Sequence, residues 1–342
     1  MKNSVLAERL AAQLLSGTPS TDPLAVVTRL LAVQAQDLRG ARLAIRARTN
    51  GLVATDVDRA LTRDRSILIT WLNRGTLHLV RTEDYPFLHA LTTPQLASGN
   101  ARRLAQEGVS PDAAARGVDV IERSLTREGP LTRGELREKI ASAGVRTQGQ
   151  ALVHILALAS LRGIVVRGPI IGSDQAYVLV RDWVGAVPRV DREAALAELA
   201  RRFLAGHGPA SDRDLARWAG LSLRDSRAGI GALAGEIVQR HDGLVDLPGR
   251  GAVPVLPPPR LLGPYEPVLL GWVSREEILG AHHSVVTVNG LFRPFAMVRG
   301  RAVATWKLAR GRVELSPFSR LRPAEARALE ADATDVKRFL ST

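Results

Sequence analysis

Two glutamines one residue apart, Gln34 and Gln36, are the side chains of this sequence that most need a chemical explanation. They stand in the run Leu31-Ala32-Val33-Gln34-Ala35-Gln36-Asp37, at the end of a helical pattern in which Val27, Leu30, Leu31 and Gln34 follow i, i+3, i+4, i+7. Gln34 thus falls on the face meant for the core, and a buried amide costs free energy unless its hydrogen bonds are met. A glutamine cannot act as a base near pH 7, but its carbonyl can orient a water and point a dipole at a developing cation. Neither residue carries a nucleophilic amine, so no Schiff-base step is implied. Positions two apart do not share a face of a continuous helix. Two amides reach one water only if the helix ends or distorts near Ala35, or if two extended residues project together. Gly40 is a stop signal nearby. The plainer alternative is that Gln34 ties a loop to the helix end while Gln36 is solvated.

Other chemistry-bearing residues are more scattered. Asp37 reads as the N-terminal acid of the next segment, as a group orienting the amides, or as a surface carboxylate. Arg74 and His78 lie on a hairpin, where they serve either to meet a phosphate or another group of a substrate, or as a turn cation and a strand residue. Arg293, Trp306 and Lys307 near the C-terminus are candidate contacts to a bound partner, although a tryptophan is more often core than a stacking platform. The chain has no cysteine, which excludes disulfides, thiolate metal sites and a Cys nucleophile. The seven histidines are dispersed, and adjacent His282 and His283 are poorly spaced for chelation. No P-loop, no G-x-G-x-x-G after a strand and no G-x-S-x-G elbow occurs, so no metal and no cofactor is expected.

The elements that must position these residues follow a repeated order. Residues 1–90 read as helices over Val5 to Leu15, Leu24 to Gln34 and Thr55 to Thr62, the last capped by Thr55, followed by strands Ser66 to Leu72 and Thr76 to Val80 around Asn73-Arg74-Gly75. Residues 91–187 give helices near 93–107, 111–127 and 148–161, and strands Ile164 to Val166 and Ala176 to Val180. Within them Thr132 and Glu135 form a T-x-x-E capping box. Residues 188–252 return to the same signature: Gly208-Pro209-Ala210-Ser211-Asp212-Arg213-Asp214-Leu215 matches Gly129-Pro130-Leu131-Thr132-Arg133-Gly134-Glu135-Leu136 as G-P-x-[ST]-x-x-[DE]-L. A helix over Leu223 to Leu233 and strands Ile237 to Arg240 and Leu244 to Leu247 follow. A capped helix, a turn, a second helix and a hairpin make a winged helix.

Residues 253–342 differ. Pro254, Pro257, Pro258 and Pro259 mark a rigid crossing. Strands are expected over Val285 to Val288, Arg293 to Val298 and Ala302 to Lys307, with Glu314-Leu315 adding a further one and Asn289-Gly290 as a hairpin signal. A helix from Pro323 to Leu340 closes the chain. The expected fold is α+β, mainly helical: three tandem winged-helix units, then a small antiparallel sheet or β-barrel with a terminal helix.

Composition bounds the partners. Of 342 residues, 45% are hydrophobic and 24% charged, as in an ordinary globular protein, and the formal net charge is +13. Only Lys2, Lys139, Lys307 and Lys337 are lysines. Codon bias accounts for arginine over lysine but not for the surplus over acids, which favours a polyanion, here nucleic acid. No stretch approaches a transmembrane helix or a signal peptide, so a cytoplasmic, nucleoid-associated protein without a membrane or protein partner is expected, the simplest state being a monomer. Repeated winged helices with a basic surplus leave two readings open, an enzyme acting on DNA and a non-catalytic DNA-binding transcription regulator.

The sequence resembles the AlkZ/YcaQ-like bacterial DNA glycosylases. The resemblance lies in Val33-Gln34-Ala35-Gln36-Asp37, in Thr70-Trp71-Leu72-Asn73-Arg74-Gly75-Thr76-Leu77-His78-Leu79-Val80, and in Gly208-Pro209-Ala210-Ser211 with Ala216-Arg217-Trp218-Ala219-Gly220-Leu221. It continues through Leu261-Leu262-Gly263-Pro264-Tyr265-Glu266 and Phe292-Arg293-Pro294 with Thr305-Trp306. It implies three winged helices around a DNA channel with a C-terminal β-barrel, and a catalytic Gln-x-Gln motif at Gln34 and Gln36. It further implies a substrate of double-stranded DNA carrying N7-alkylpurine adducts, with unhooking of interstrand crosslinks or resistance to a DNA-alkylating natural product as the biological setting. Tyr265-Glu266 departs from the family's commoner Phe-Asp.

Overall fold

The computed structural model describes residues 2–250 and 255–341, so the expected boundary at 252/253 and Pro254 lie outside the described residues. The chain divides into two compact units, one made of the residues up to Val57 together with those from Glu193 on, the other of Asp58–Arg192. The first begins with α1 (Lys2–Ala12), α2 (Pro23–Leu30), a two-residue extended segment β1 (Val33–Gln34), α3 (Leu38–Arg46) and α4 (Ala54–Thr62), in which the chain passes to the second unit. The second holds β2 (Ile67–Leu72), β3 (Thr76–Arg81), α5 (Tyr85–Thr92), α6 (Ala97–Gln106), α7 (Pro111–Glu128), α8 (Arg133–Ser142), α9 (Ala151–Leu161), β4 (Val165–Ile171), β5 (Asp174–Leu179) and α10 (Val180–Trp183). The first unit resumes with α11 (Arg192–His207), α12 (Asp212–Ala219), α13 (Leu223–Gly231), β6 (Val238–Gln239), β7 (Val245–Asp246), β8 (Arg260–Leu262), α14 (Glu276–Leu279), β9 (Phe295–Val298), β10 (Arg301–Ala309), β11 (Arg312–Pro317) and α15 (Pro323–Leu340). This is an α+β chain with small antiparallel sheets.

In the second unit the two hairpins share a sheet. β2 pairs with β3 from Ile67↔Arg81 to Leu72↔Thr76, β4 pairs with β5, and Ile69↔Arg167 joins β2 to β4. Every residue of β2 is buried, which fits its unbroken run of apolar and β-branched residues. The β2–β3 turn is made possible by Asn73 and Gly75, both at positive φ (52° and 80°). Helices α7, α8 and α9 pack together, and their core is Val118, Ile121, Leu136, Ile140, Ile155 and Leu156.

Both capping boxes form. Thr132 Oγ1 accepts from the Glu135 N–H at 3.3 Å while Glu135 accepts from the Thr132 N–H at 2.7 Å, and Ser211 and Asp214 do the same at 3.2 and 2.9 Å. In each repeat the residue before the cap bridges antiparallel to the second strand of the hairpin that follows: Leu131 to Tyr177, Ala210 to Val245.

The C-terminal strands form a linear antiparallel sheet in the order β11-β10-β9-β8, packed by α15. Three expectations are corrected. Val285 to Val288 is no strand: a single 3₁₀ turn at His283–Val285 leads to an isolated bridge, Val286↔Phe292, around Asn289-Gly290. Thr55 does not cap α4, which starts at Ala54; instead the Asp56 carboxylate accepts from the Val53 N–H at 2.9 Å. The helix expected over Leu24 to Gln34 ends at Leu30, where Leu31 takes φ 64°. No helix among the described residues is long and apolar enough to cross a membrane.

Candidate active site

The amide pair is built by a short connector between two capped helices. Pro23 opens α2 behind Asp22, whose carboxylate accepts from the Leu24 N–H at 2.9 Å. At the far end Leu31 takes φ 64° and ψ −44° in a γ-turn closed by the Ala32 N–H donating to the Leu30 carbonyl at 2.7 Å, a conformation rare and costly for a residue with a Cβ. The chain then runs extended through Val33–Gln34. Beyond Gln34 the chain bends at Gln36, so the two positions are freed from the helix geometry that would hold their side chains apart. Gln34 Nε2 donates to Gln36 Oε1 at 2.7 Å, so the two amides are joined end to end. Gln34 is 5% exposed whereas Gln36 is open to solvent. A buried amide thereby holds a solvent-facing one in a fixed orientation, and water can approach the pair from the Gln36 side.

Asp37 is the N-cap of α3: its carboxylate accepts from the Gly40 N–H at 3.1 Å. Gly40 is therefore not a stop signal but a residue of the first turn of that helix. A Cβ on it would lie 2.7 Å from the Pro264 carbonyl oxygen, so only glycine lets α3 and the segment Leu262-Gly263-Pro264 touch. The far end of α3 is clamped by two arginines. Arg46 forks onto both oxygens of Asp332 at 2.8 Å each, and the same carboxylate accepts from the Leu261 N–H at 2.7 Å. Arg48, fully buried, donates to the Gln13 and Ala44 carbonyls and to Glu266 at 2.6 Å. The Glu266 of the Tyr-Glu departure thus has a structural use: its longer side chain reaches a guanidinium sealed from water.

The close approach at Gly40 also brings in residues that sequence reasoning missed. Tyr265, half-buried and at φ 56°, has its phenol pushed above the usual range by burial and by the nearby Asp37 carboxylate. Its ring lies 5.7 Å from that of Phe292, over which the Arg275 guanidinium sits at 5.0 Å. An aromatic and cationic wall therefore extends from the connector toward exposed Arg293. The Tyr265-Glu266 departure was the only signal in the sequence that pointed there.

The other candidates fall elsewhere. Trp306 is buried and its indole donates to the Leu262 carbonyl at 2.9 Å, so it is a core residue with a satisfied N–H and not an open stacking platform. Lys307, on the opposite face of β10, is exposed and pairs with Glu314 across the sheet at 2.9 Å. In the second unit Arg74 occupies the β2–β3 turn. His78 is buried on β3, its Nδ1–H donating to the Thr76 carbonyl at 2.9 Å. Burial first, and the Arg74 charge second, push its imidazole down to about 3, so it is neutral at physiological pH and neither an acid nor an anion-binding cation. Among the described residues no group of three or more His, Asp or Glu could hold a metal.

These features define a neutral amide pair at the solvent edge of a connector between two capped helices. The family described as DNA glycosylase AlkZ-like matches residues 27–339, and the chain belongs to it. It is 28% identical, over 98% of its length and 95% of the relative's, to the interstrand DNA cross-link repair glycosylase of Streptomyces sahachiroi. Its fold is that of the solved Streptomyces sahachiroi DNA glycosylase AlkZ, with a TM-score of 0.78 at 24% identity, covering 99% of this chain and 96% of the other. Family membership leaves the regulator reading with no observation of its own.

Proposed function

We propose that this protein is a monofunctional DNA glycosylase that hydrolyses the N-glycosidic bond of N7-alkylated purines in duplex DNA. The observation that carries the reading is the 2.7 Å bond from Gln34 to Gln36 at the solvent edge of a rigidly held connector. An N7-alkylated purine bears a positive charge and leaves readily, so C–N cleavage toward an oxocarbenium-like sugar needs no strong general acid. What the protein must add is a water held against C1′ and a dipole favouring the cation. The buried Gln34 amide orients Gln36, and the Gln36 amide orients that water. The water's oxygen bonds to C1′ as the base takes the glycosidic electron pair, and the released proton passes to solvent. Lacking a nucleophilic amine, the pair gives a free base and an intact abasic strand. Normal bases, uncharged, are left alone.

The relative's repair of interstrand crosslinks extends the reading to this chain: a crosslink made of two N7-alkylpurines is unhooked by cutting one glycosidic bond. Such an activity would protect a host exposed to a DNA-alkylating natural product. The scaffold reading that goes with it is three tandem winged helices followed by the linear C-terminal sheet, where a barrel was expected, acting as a cytoplasmic monomer. The two capping boxes and their matching Leu131–Tyr177 and Ala210–Val245 bridges support the repeat.

The test is release of 7-methylguanine from a methylated duplex. Gln34→Ala and Gln36→Ala should each slow release by roughly 10²–10³-fold, the loss expected for one preorganised dipole. The abasic product should resist strand scission until alkali is added. Wild-type rates in the double variant would overturn the assignment.

A further inference from the structure

The second unit carries a cavity of about 530 Å³ between α8, the loop at Thr147–Gln148 and the β4–β5 hairpin, and nothing in the amide-pair chemistry uses it. Its cations are Arg133 and Arg137 on α8 and Arg167 on β4. Arg133 and Arg137 are four residues apart and so share one helix face. Both are exposed, and among the described residues neither is tied to a carboxylate. Arg167 is preset. Its Nε and Nη2 donate to the Tyr177 hydroxyl at 3.0 and 2.8 Å, and its guanidinium lies over the Trp71 and Tyr177 rings at 5.4 and 5.0 Å. The one carboxylate at the cavity is Asp174. Gln175 lines it as well, and its side-chain nitrogen is buried without an acceptor. Three guanidiniums, an orphaned amide donor and one acid make a site short of acceptors, which an oxyanion with several oxygens would complete.

We propose that this cavity binds phosphates of the DNA backbone. The packing of α9 favours the phosphodiester over a free anion. In a helix-turn-helix the second helix reads the groove, yet no residue of α9 is exposed, and its Ala151, Leu152, Ile155, Leu156 and Ala159 are buried. This repeat therefore cannot read base edges with that helix. Duplex contact must come from the charged face of α8 and from the hairpin, and such contact positions DNA without reading sequence. The proposal rests on the protein being DNA-acting, but not on the amide-pair chemistry.

The experiment follows anisotropy of a labelled, undamaged duplex between 50 and 200 mM salt, using the intact chain. The Arg133→Ala/Arg137→Ala double variant should bind about tenfold more weakly or worse at low salt, with a log–log salt slope shallower by about 2. The Arg133→Lys/Arg137→Lys variant should keep most of that slope, which separates lost charge from lost fold. Wild-type affinity and slope in the alanine variant would overturn the proposal. So would saturable binding of inorganic phosphate that the alanine variant loses while duplex affinity stays intact, since the site would then serve a free anion. Base release is not the readout. A protein that binds as described yet releases no 7-methylguanine would sink the glycosylase reading alone.

Discussion

Thr132 with Glu135, and Ser211 with Asp214, close the same hydrogen-bonded box, start the same kind of helix and stand one residue after the same kind of strand bridge. Beyond the box they part. Glu135 faces water, and its carboxyl is held below the usual range by the Thr132 N–H and hydroxyl. Around it α8 offers Arg133 and Arg137 to solvent. Asp214 is buried instead. Besides capping α12 it accepts from the Val273 N–H at 2.8 Å and pairs with Arg9 at 3.5 Å, and Arg9 in turn donates to Pro209 and lies over Trp272. One local motif is thus spent on the surface in one repeat and on the core in the other. The lesson is that an internal repeat reports a way of starting a helix, not a shared function: the copy left uncommitted by the core is the copy able to bind.

That contrast can be broken or sharpened by three measurements. Asp214→Ala should have the largest effect, about 3 kcal/mol or more by chemical unfolding, because it removes a cap and strands both the Val273 N–H and a largely buried Arg9. A loss under 1 kcal/mol would mean that the second box is no more committed than the first. Next comes pH. His207, stacked on Phe203 just before the second box, is pushed down to about 3, chiefly by burial. It stays neutral in the fold and gains a proton on unfolding. Its contribution is therefore complete above about 6.5 and declines as pH falls toward 3, by about 2 kcal/mol at pH 5. His154, half-exposed on α9 in the first repeat, is lowered less severely. Replacing His207 by Gln should flatten the melting temperature between pH 7 and 5 more than replacing His154; equal slopes would erase the distinction. The smallest effect is expected for Thr132→Ala, about 1 kcal/mol. Should it equal that of Asp214→Ala, the first box would be the more deeply built of the two.

What the sequence disclosed follows from the range of the forces involved. Capping boxes, the β2–β3 turn at Asn73-Arg74-Gly75 and the C-terminal helix from Pro323 to Leu340 rest on neighbours within a few residues, and all were legible. The end of α2 was not. Leu31, Ala32 and Val33 are apolar and buried whether helical or extended, so the i, i+3, i+4, i+7 pattern ran on through Gln34. The break at Leu30 needs a leucine at positive φ, which no propensity favours. Gly40 misled for a similar reason: its small size answers Pro264, distant in the chain, and not a helix end. Gln34 could be flagged from the cost of a buried amide, while Gln36 and the pairing of the two came only with the family resemblance. Tyr265, Phe292 and Arg275 could not, since only tertiary packing brings them beside Asp37.

The clamp on α3 has a consequence for how the protein is made. Asp58–Arg192 form one continuous unit and have all their own contacts as soon as they leave the ribosome. Helix α3, which follows the connector bearing Gln34 and Gln36, is held by Pro264, Glu266 and Asp332, which are made last. At synthesis rates of 5–20 residues per second, the stretch from Glu193 onward takes roughly ten to thirty seconds. Through that interval α3 is without those partners. A nascent chain cut short before α15 would keep the unit with the arginine-lined cavity and lack the carboxylate that clamps the far end of α3.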